Sequence, residues 1–90
     1  MNLSFEKFID VKSKEKLSFN SLFVTERNKI IMENYISNVN KYINNLSQEK
    51  LFLIISCRLY KLLYDTKYND YIENLLEEVD NKILDHLNNS

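Results

Sequence analysis

A chain of 90 residues that contains no glycine and no proline has few ways to turn sharply. Glycine alone enters the left-handed region of backbone space without steric cost, so two-residue hairpins and glycine-rich phosphate loops are not expected. Without proline, nothing interrupts a helix from inside. Alanine is also missing, and Leu, Lys, Glu and Ile supply helix propensity in its place. The expectation is an all-α fold: a small helical bundle of three main helices plus an N-terminal helical segment, in a single domain spanning residues 1–90. A domain of this size buries only roughly 60–65% of its unfolded surface, so partners can matter to its stability. Hydrophobic residues make up 44% and charged ones 28%, which argues against disorder despite the many asparagines. The dominant Asn, Lys, Ile, Tyr and Phe have AT-rich codons, as in a low-GC bacterium, its phages or plasmids, or a virus.

Hydrophobic spacing divides the chain. Ser4 is placed to cap a short first helix, with Leu3 and Phe8 as a hydrophobic staple and Phe5, Phe8 and Ile9 on one face. Lys12 to Lys16 reads as a connector. Leu17, Phe19, Leu22 and Phe23 then form a second apolar patch. Thr25 is the expected N-cap of a long second helix, with Glu26 in its first turn. Met32, Tyr35, Val39, Tyr42 and Leu46 follow at spacings of 3, 4, 3 and 4, widened by Ile36 and Ile43. Ile30 points the other way. This helix is expected to end near Asn44 and Asn45. Ser47 caps the next one, with Leu46 and Leu51 as its staple, and the short loop makes the two helices antiparallel neighbours.

The third helix, from Gln48 to about Tyr64, is apolar almost all round. Arg58 and Lys61 form its narrow polar strip, facing the fourth helix or a bound acid. After a break at Asp65 to Lys67, the fourth helix runs from Tyr68 or Asn69 to Leu87. Tyr68, Ile72, Leu75, Leu76, Val79, Ile83 and Leu87 form its apolar arc. Asp70, Glu73, Glu77 and Asp80 line the opposite side, with Leu84 among them.

No residue pattern reads as a catalytic or metal site, and no cofactor is expected. His86 is the only histidine and falls on the apolar arc of the fourth helix, where a structural role is expected. Cys57 is the only cysteine. It sits mid-helix among apolar residues, as an inert buried thiol would, and fits a reducing compartment. The longest apolar run, Leu51 to Ile55, is far too short for a membrane span, and the first residues carry no basic stretch of a signal peptide. A cytoplasmic protein, bacterial or in a host cell, is therefore expected, with no membrane partner.

Charge is unevenly spread. Residues 1–64 carry ten Lys/Arg against six Asp/Glu, and residues 65–90 carry two against seven, so a segment of about +4 precedes one of about −5. The basic residues are interrupted by acids, and the third helix turns wholly apolar where a recognition helix would carry base-reading side chains, so direct nucleic-acid binding is not expected. Two surfaces remain. Asp70, Glu73, Glu77 and Asp80 are expected to form an outward acidic face for a basic partner surface. Phe52, Tyr60, Tyr64 and Tyr68 are expected to form an aromatic patch for a partner or a dimer seam. The implied function is non-enzymatic: a protein-binding inhibitor or regulator, phage- or plasmid-encoded, that blocks a host defence or nucleic-acid-binding protein. The alternative is a small DNA-binding transcriptional regulator. The run from Asn34 to Ile83 also resembles bacteriocin immunity proteins, which are small cytoplasmic four-helix bundles, in helix length and hydrophobic layout. It shares no motif with them, so the resemblance implies a bundle and no site residues.

Overall fold

The structure is a computed structural model that describes Lys7 and residues 25–89. The expected N-terminal helix cap at Ser4 and the apolar patches from Phe5 to Ile9 and from Leu17 to Phe23 lie outside the described residues. Helix α1 spans Glu26–Tyr42, α2 spans Gln48–Tyr64 and α3 spans Asp70–Asn88. Among the described residues there is no strand. None of the described helices is long and apolar enough to cross a membrane.

Each helix starts where a short polar side chain satisfies a free backbone donor. Thr25, Ser47 and Asn69 accept hydrogen bonds from the backbone N–H of Asn28, Lys50 and Ile72. Acidic residues follow in every first turn, Glu26, Glu49 and Asp70 with Glu73, where the helix dipole favours them. The first two caps are those read from the sequence. The ends differ by a residue or two. α1 stops at Tyr42 because Ile43 turns extended, and Asn45 adopts a φ of 63° before Ser47 opens α2.

The absence of glycine has a local consequence here. Among the described residues, the two left-handed ones, Asn45 and Asp65, occupy positions that glycine would normally fill. Asp65 closes α2 at φ 54° and ψ 36°, with its N–H donating to the Lys61 carbonyl. Its carboxylate also sits at the negative end of the helix dipole. Asp65→Gly should therefore raise stability by about 0.5–1 kcal/mol, a gain of a few degrees in Tm. Thermal unfolding followed by circular dichroism checks this, and Asp65→Val should move Tm the other way.

Side-chain pairings fix the topology. Tyr35 and Asn38 of α1 share a cleft with Asp80 and Ile83 of α3, and Tyr42 stacks on His86, so these helices run parallel. α2 runs against both: Arg58 meets Asp80, while Lys61, further along α2, meets the earlier Glu73. The core lies where the three helices meet. Met32, Ile36 and Val39 come from α1, Leu51, Ile54, Ile55, Cys57 and Leu59 from α2, and Leu76, Val79 and Ile83 from α3. Tyr35, Tyr42, Leu46, Ile72 and Leu75 pack round it. Ile30, off the apolar stripe in sequence, is half exposed, as is Leu84.

Candidate functional site

The acidic residues of α3 divide into two groups. Asp80 pairs with the Arg58 guanidinium, and both oxygens of Glu73 accept from Lys61 Nζ at 2.8 Å. These carboxylates face α2. The cause is the composition of α2, where Arg58 and Lys61 are the only charged residues between Leu51 and Tyr64. Packed with its polar strip inward, α2 can keep those cations half-buried only if carboxylates meet them. Glu73 and Asp80 lie within roughly 60° of Leu76 round α3, at the border of its buried arc, and so can reach α2. Asp70 and Glu77 stay exposed, as the outward reading of them requires. Glu78 and Asp85, which were not among the expected site residues, are exposed on the same outer side. Their signal was present in the pattern: on a helical wheel they fall between Asn74 and Lys82, in the polar arc that opens with Glu77 and Asp70.

The two ion pairs have different surroundings. Burial is the largest single influence on Arg58 and disfavours its charge, but Asp80 and Tyr35 together outweigh it, and its pKa is raised. The guanidinium also lies 5.2 Å from the centroid of the Tyr35 ring, within cation–π range. At the other pair, the Lys61 hydrogen bond, and then the Tyr68 N–H at 2.9 Å, hold Glu73 below the usual carboxylate range. Thr66 donates to the Tyr60 carbonyl and Lys61 reaches the Thr66 carbonyl, so the turn between α2 and α3 is tied down on both sides.

Among the described residues, three buried polar atoms have no hydrogen-bond partner: the Tyr35 hydroxyl, Ser56 Oγ and Arg58 Nε. Burial pushes the Tyr35 pKa from 10.0 up to about 12, against the pull of Arg58. A raised pKa in the folded state means that the unfolded chain releases its proton first. Stability from this group is complete below pH 10 and falls as pH rises towards 12. Tyr35→Phe should thus be neutral or slightly stabilising at pH 7, since an unpaired buried hydroxyl is removed. It should also spare the protein about 2–3 kcal/mol of the loss between pH 10 and 12. Urea unfolding of both proteins at pH 8 and pH 11 measures this, and parallel pH dependence would refute it.

Of the four residues expected in the aromatic patch, three come together. Tyr60 and Tyr64 stack with centroids 6.0 Å apart, one turn from each other on α2. Tyr68 folds back beside Cys57 and Tyr60, and burial, followed by those neighbours, pushes its pKa up to about 12. Phe52 lies two turns away and roughly 80° round the helix from Tyr60, so it is not part of that group. Tyr64 is 58% exposed and Tyr71, at the start of α3, 65%. Tyr71 follows Asp70 directly, at the same junction of α2 and α3 as Tyr60, Tyr64 and Tyr68.

His86 is exposed, where the apolar arc had placed it inside, and it stacks on Tyr42 at 4.9 Å. Lys41 Nζ lies 5.2 Å from the same Tyr42 ring. Cys57 is buried and not in a disulfide. Among the described residues, no three His, Cys, Asp or Glu side chains converge as a metal site would require. A cleft of about 250 Å3 between α1 and α3 is lined by Tyr35, Asn38, Asp80, Ile83 and Leu84. No protein family, curated protein or solved structure matches this chain.

Proposed function

We propose that this protein acts without catalysis, by binding another protein through the outer side of α3, and so inhibits or regulates that partner. The observation that carries this reading is the composition of that side. Asp70, Glu77, Glu78 and Asp85 are all exposed, and the Tyr71 ring stands out at its start. Lys82, paired with Glu78, is the single cation among them. Such a surface complements a basic one, and an exposed tyrosine supplies a rigid contact at small entropic cost. A basic groove that normally holds nucleic acid is the kind of partner surface it fits. A phage- or plasmid-encoded blocker of a host defence or nucleic-acid-binding protein would work in this way.

The test compares the natural protein with Glu77→Lys/Asp85→Lys in affinity capture from the source cell or its host. The fold of both is checked first by thermal unfolding. A partner held by the natural protein and reduced at least tenfold by the variant is the expected result. Equal capture by both would remove the outer side of α3 from the account. Binding to generic duplex DNA that weakens steeply with salt would instead favour a DNA-binding regulator.

A further inference from the structure

The cleft between α1 and α3 is lined by Tyr35 and Asn38 from the first helix and by Asp80, Ile83 and Leu84 from the second. Ile83 is buried and Leu84 is 52% exposed, so apolar surface runs from the core outward. Asn38 and Asp80 bring hydrogen-bond acceptors from the two helices. Among the described residues Arg58 engages only Oδ2 of Asp80, and the Asp80 side chain stays 41% exposed. Its second oxygen can therefore accept another donor. None of the residues lining the cleft is a cation. Lys82 pairs with Glu78, Lys29 with Glu33, and Lys41 lies against the Tyr42 ring. Size limits the occupant: about 250 Å3 is less than the roughly 300–1,000 Å3 of pockets that enclose small molecules, so one long side chain suits it better than a free metabolite.

We propose that this cleft receives an arginine side chain of the protein partner. The proposal rests on the reading of α3 as a docking surface for a basic protein, and it adds the anchor. Tyr35 and Asp80 already hold one guanidinium, that of Arg58, which reaches them from α2 with its centre 5.2 Å from the Tyr35 ring centroid. The cleft offers the same two residues to the outside. Ile83 and Leu84 take the methylene stem, and Asp80 with the Asn38 side-chain carbonyl accepts from the guanidinium. A second cation beside Asp80 needs a second anion. Glu77, one turn back on α3 and exposed, supplies it, and Leu84 falls within roughly 20° of Glu77 round the helix. Arginine suits the cleft better than lysine. Its planar head spreads several donors towards acceptors on two helices, and it is more weakly hydrated than an ammonium. Arginine in a half-closed pocket is also a common anchor of protein interfaces.

Two acetylated peptides, hexa-arginine and its uncharged counterpart hexa-citrulline, test this on the full-length chain by methyl NMR at low salt. The arginine peptide should shift the Ile83 and Leu84 methyl signals and give Overhauser contacts from its methylenes to Leu84, and the citrulline peptide should do neither. Asn38→Arg offers the chain's own guanidinium to Asp80. It should weaken peptide binding, read at the Ile83 methyl, at least tenfold. Leu84→Ser, at a half-exposed position that the fold does not depend on, should weaken it at least threefold. Equal contacts from both peptides, no contact from either, or unchanged binding in both variants would overturn the proposal. Arginine contacts confined to the neighbourhood of Glu78 and Asp85 would also overturn it, while leaving the outer side of α3 as a binding surface. That wider reading is decided separately, by the Glu77→Lys/Asp85→Lys capture.

Discussion

Asp80→Lys should lower the stability of this protein by about 2–4 kcal/mol, a fall in Tm on the order of 10–20 °C. Glu77→Lys, one turn earlier on the same helix, should change it by less than about 0.5 kcal/mol. Both substitutions reverse a carboxylate of α3, and only their surroundings differ. Asp80 holds the Arg58 guanidinium, whose side chain is 25% exposed and whose Nε has no hydrogen-bond partner among the described residues. Reversal removes that charge-assisted hydrogen bond and sets two cations against each other in a half-buried space. Glu77 is exposed. Chemical unfolding of the two variants beside the natural protein gives both values. A small effect at Asp80 would mean that its carboxylate belongs to the solvent.

A second pair of neighbouring positions tests how α2 is turned. Ile54→Ala should cost about 2–5 kcal/mol, and Leu53→Ala should cost under about 1 kcal/mol. Ile54 is fully buried between the helices, whereas Leu53 is 39% exposed. Truncating Ile54 leaves a void that close-packed neighbours fill only in part. Given the small stability of so short a domain, the Ile54 variant should be largely unfolded near physiological temperature. Comparable losses at the two positions would mean that α2 is rotated from the orientation described.

These predictions also mark what the sequence could convey. The starts of α1 and α2 were legible because Thr25 and Ser47 are cap residues next to clear periodic patterns. Met32, Ile36 and Val39 were legible as core for the same reason of spacing. The rotation of α2 was legible only in part: its polar strip of Arg58 and Lys61 was expected to face the fourth helix or a bound acid, and it meets carboxylates of α3. Arg58 and Lys61 decide it, and they do so through residues on another helix. That is also why Glu73 and Asp80 read as members of one outward stripe with Asp70 and Glu77. Helical spacing places all four on one side of α3, and only the position of the neighbouring cations divides them. Charge reversal at Glu73 or Asp80 therefore perturbs the fold, and binding studies belong on Glu77, Glu78 and Asp85. His86 shows the limit of helical angle near a helix end, where the arc continues in projection but the core does not. Its ring lies against Tyr42 at the exposed margin.

The division of the α3 carboxylates between an inner brace and an outer face is the claim on which both the fold and the choice of binding surface depend. A double-mutant cycle on Arg58→Gln and Asp80→Asn, read by urea unfolding, tests it most directly. A coupling of at least about 1 kcal/mol between the two side chains is expected. Additive effects, with coupling near zero, would contradict it and return Asp80 to the acidic surface.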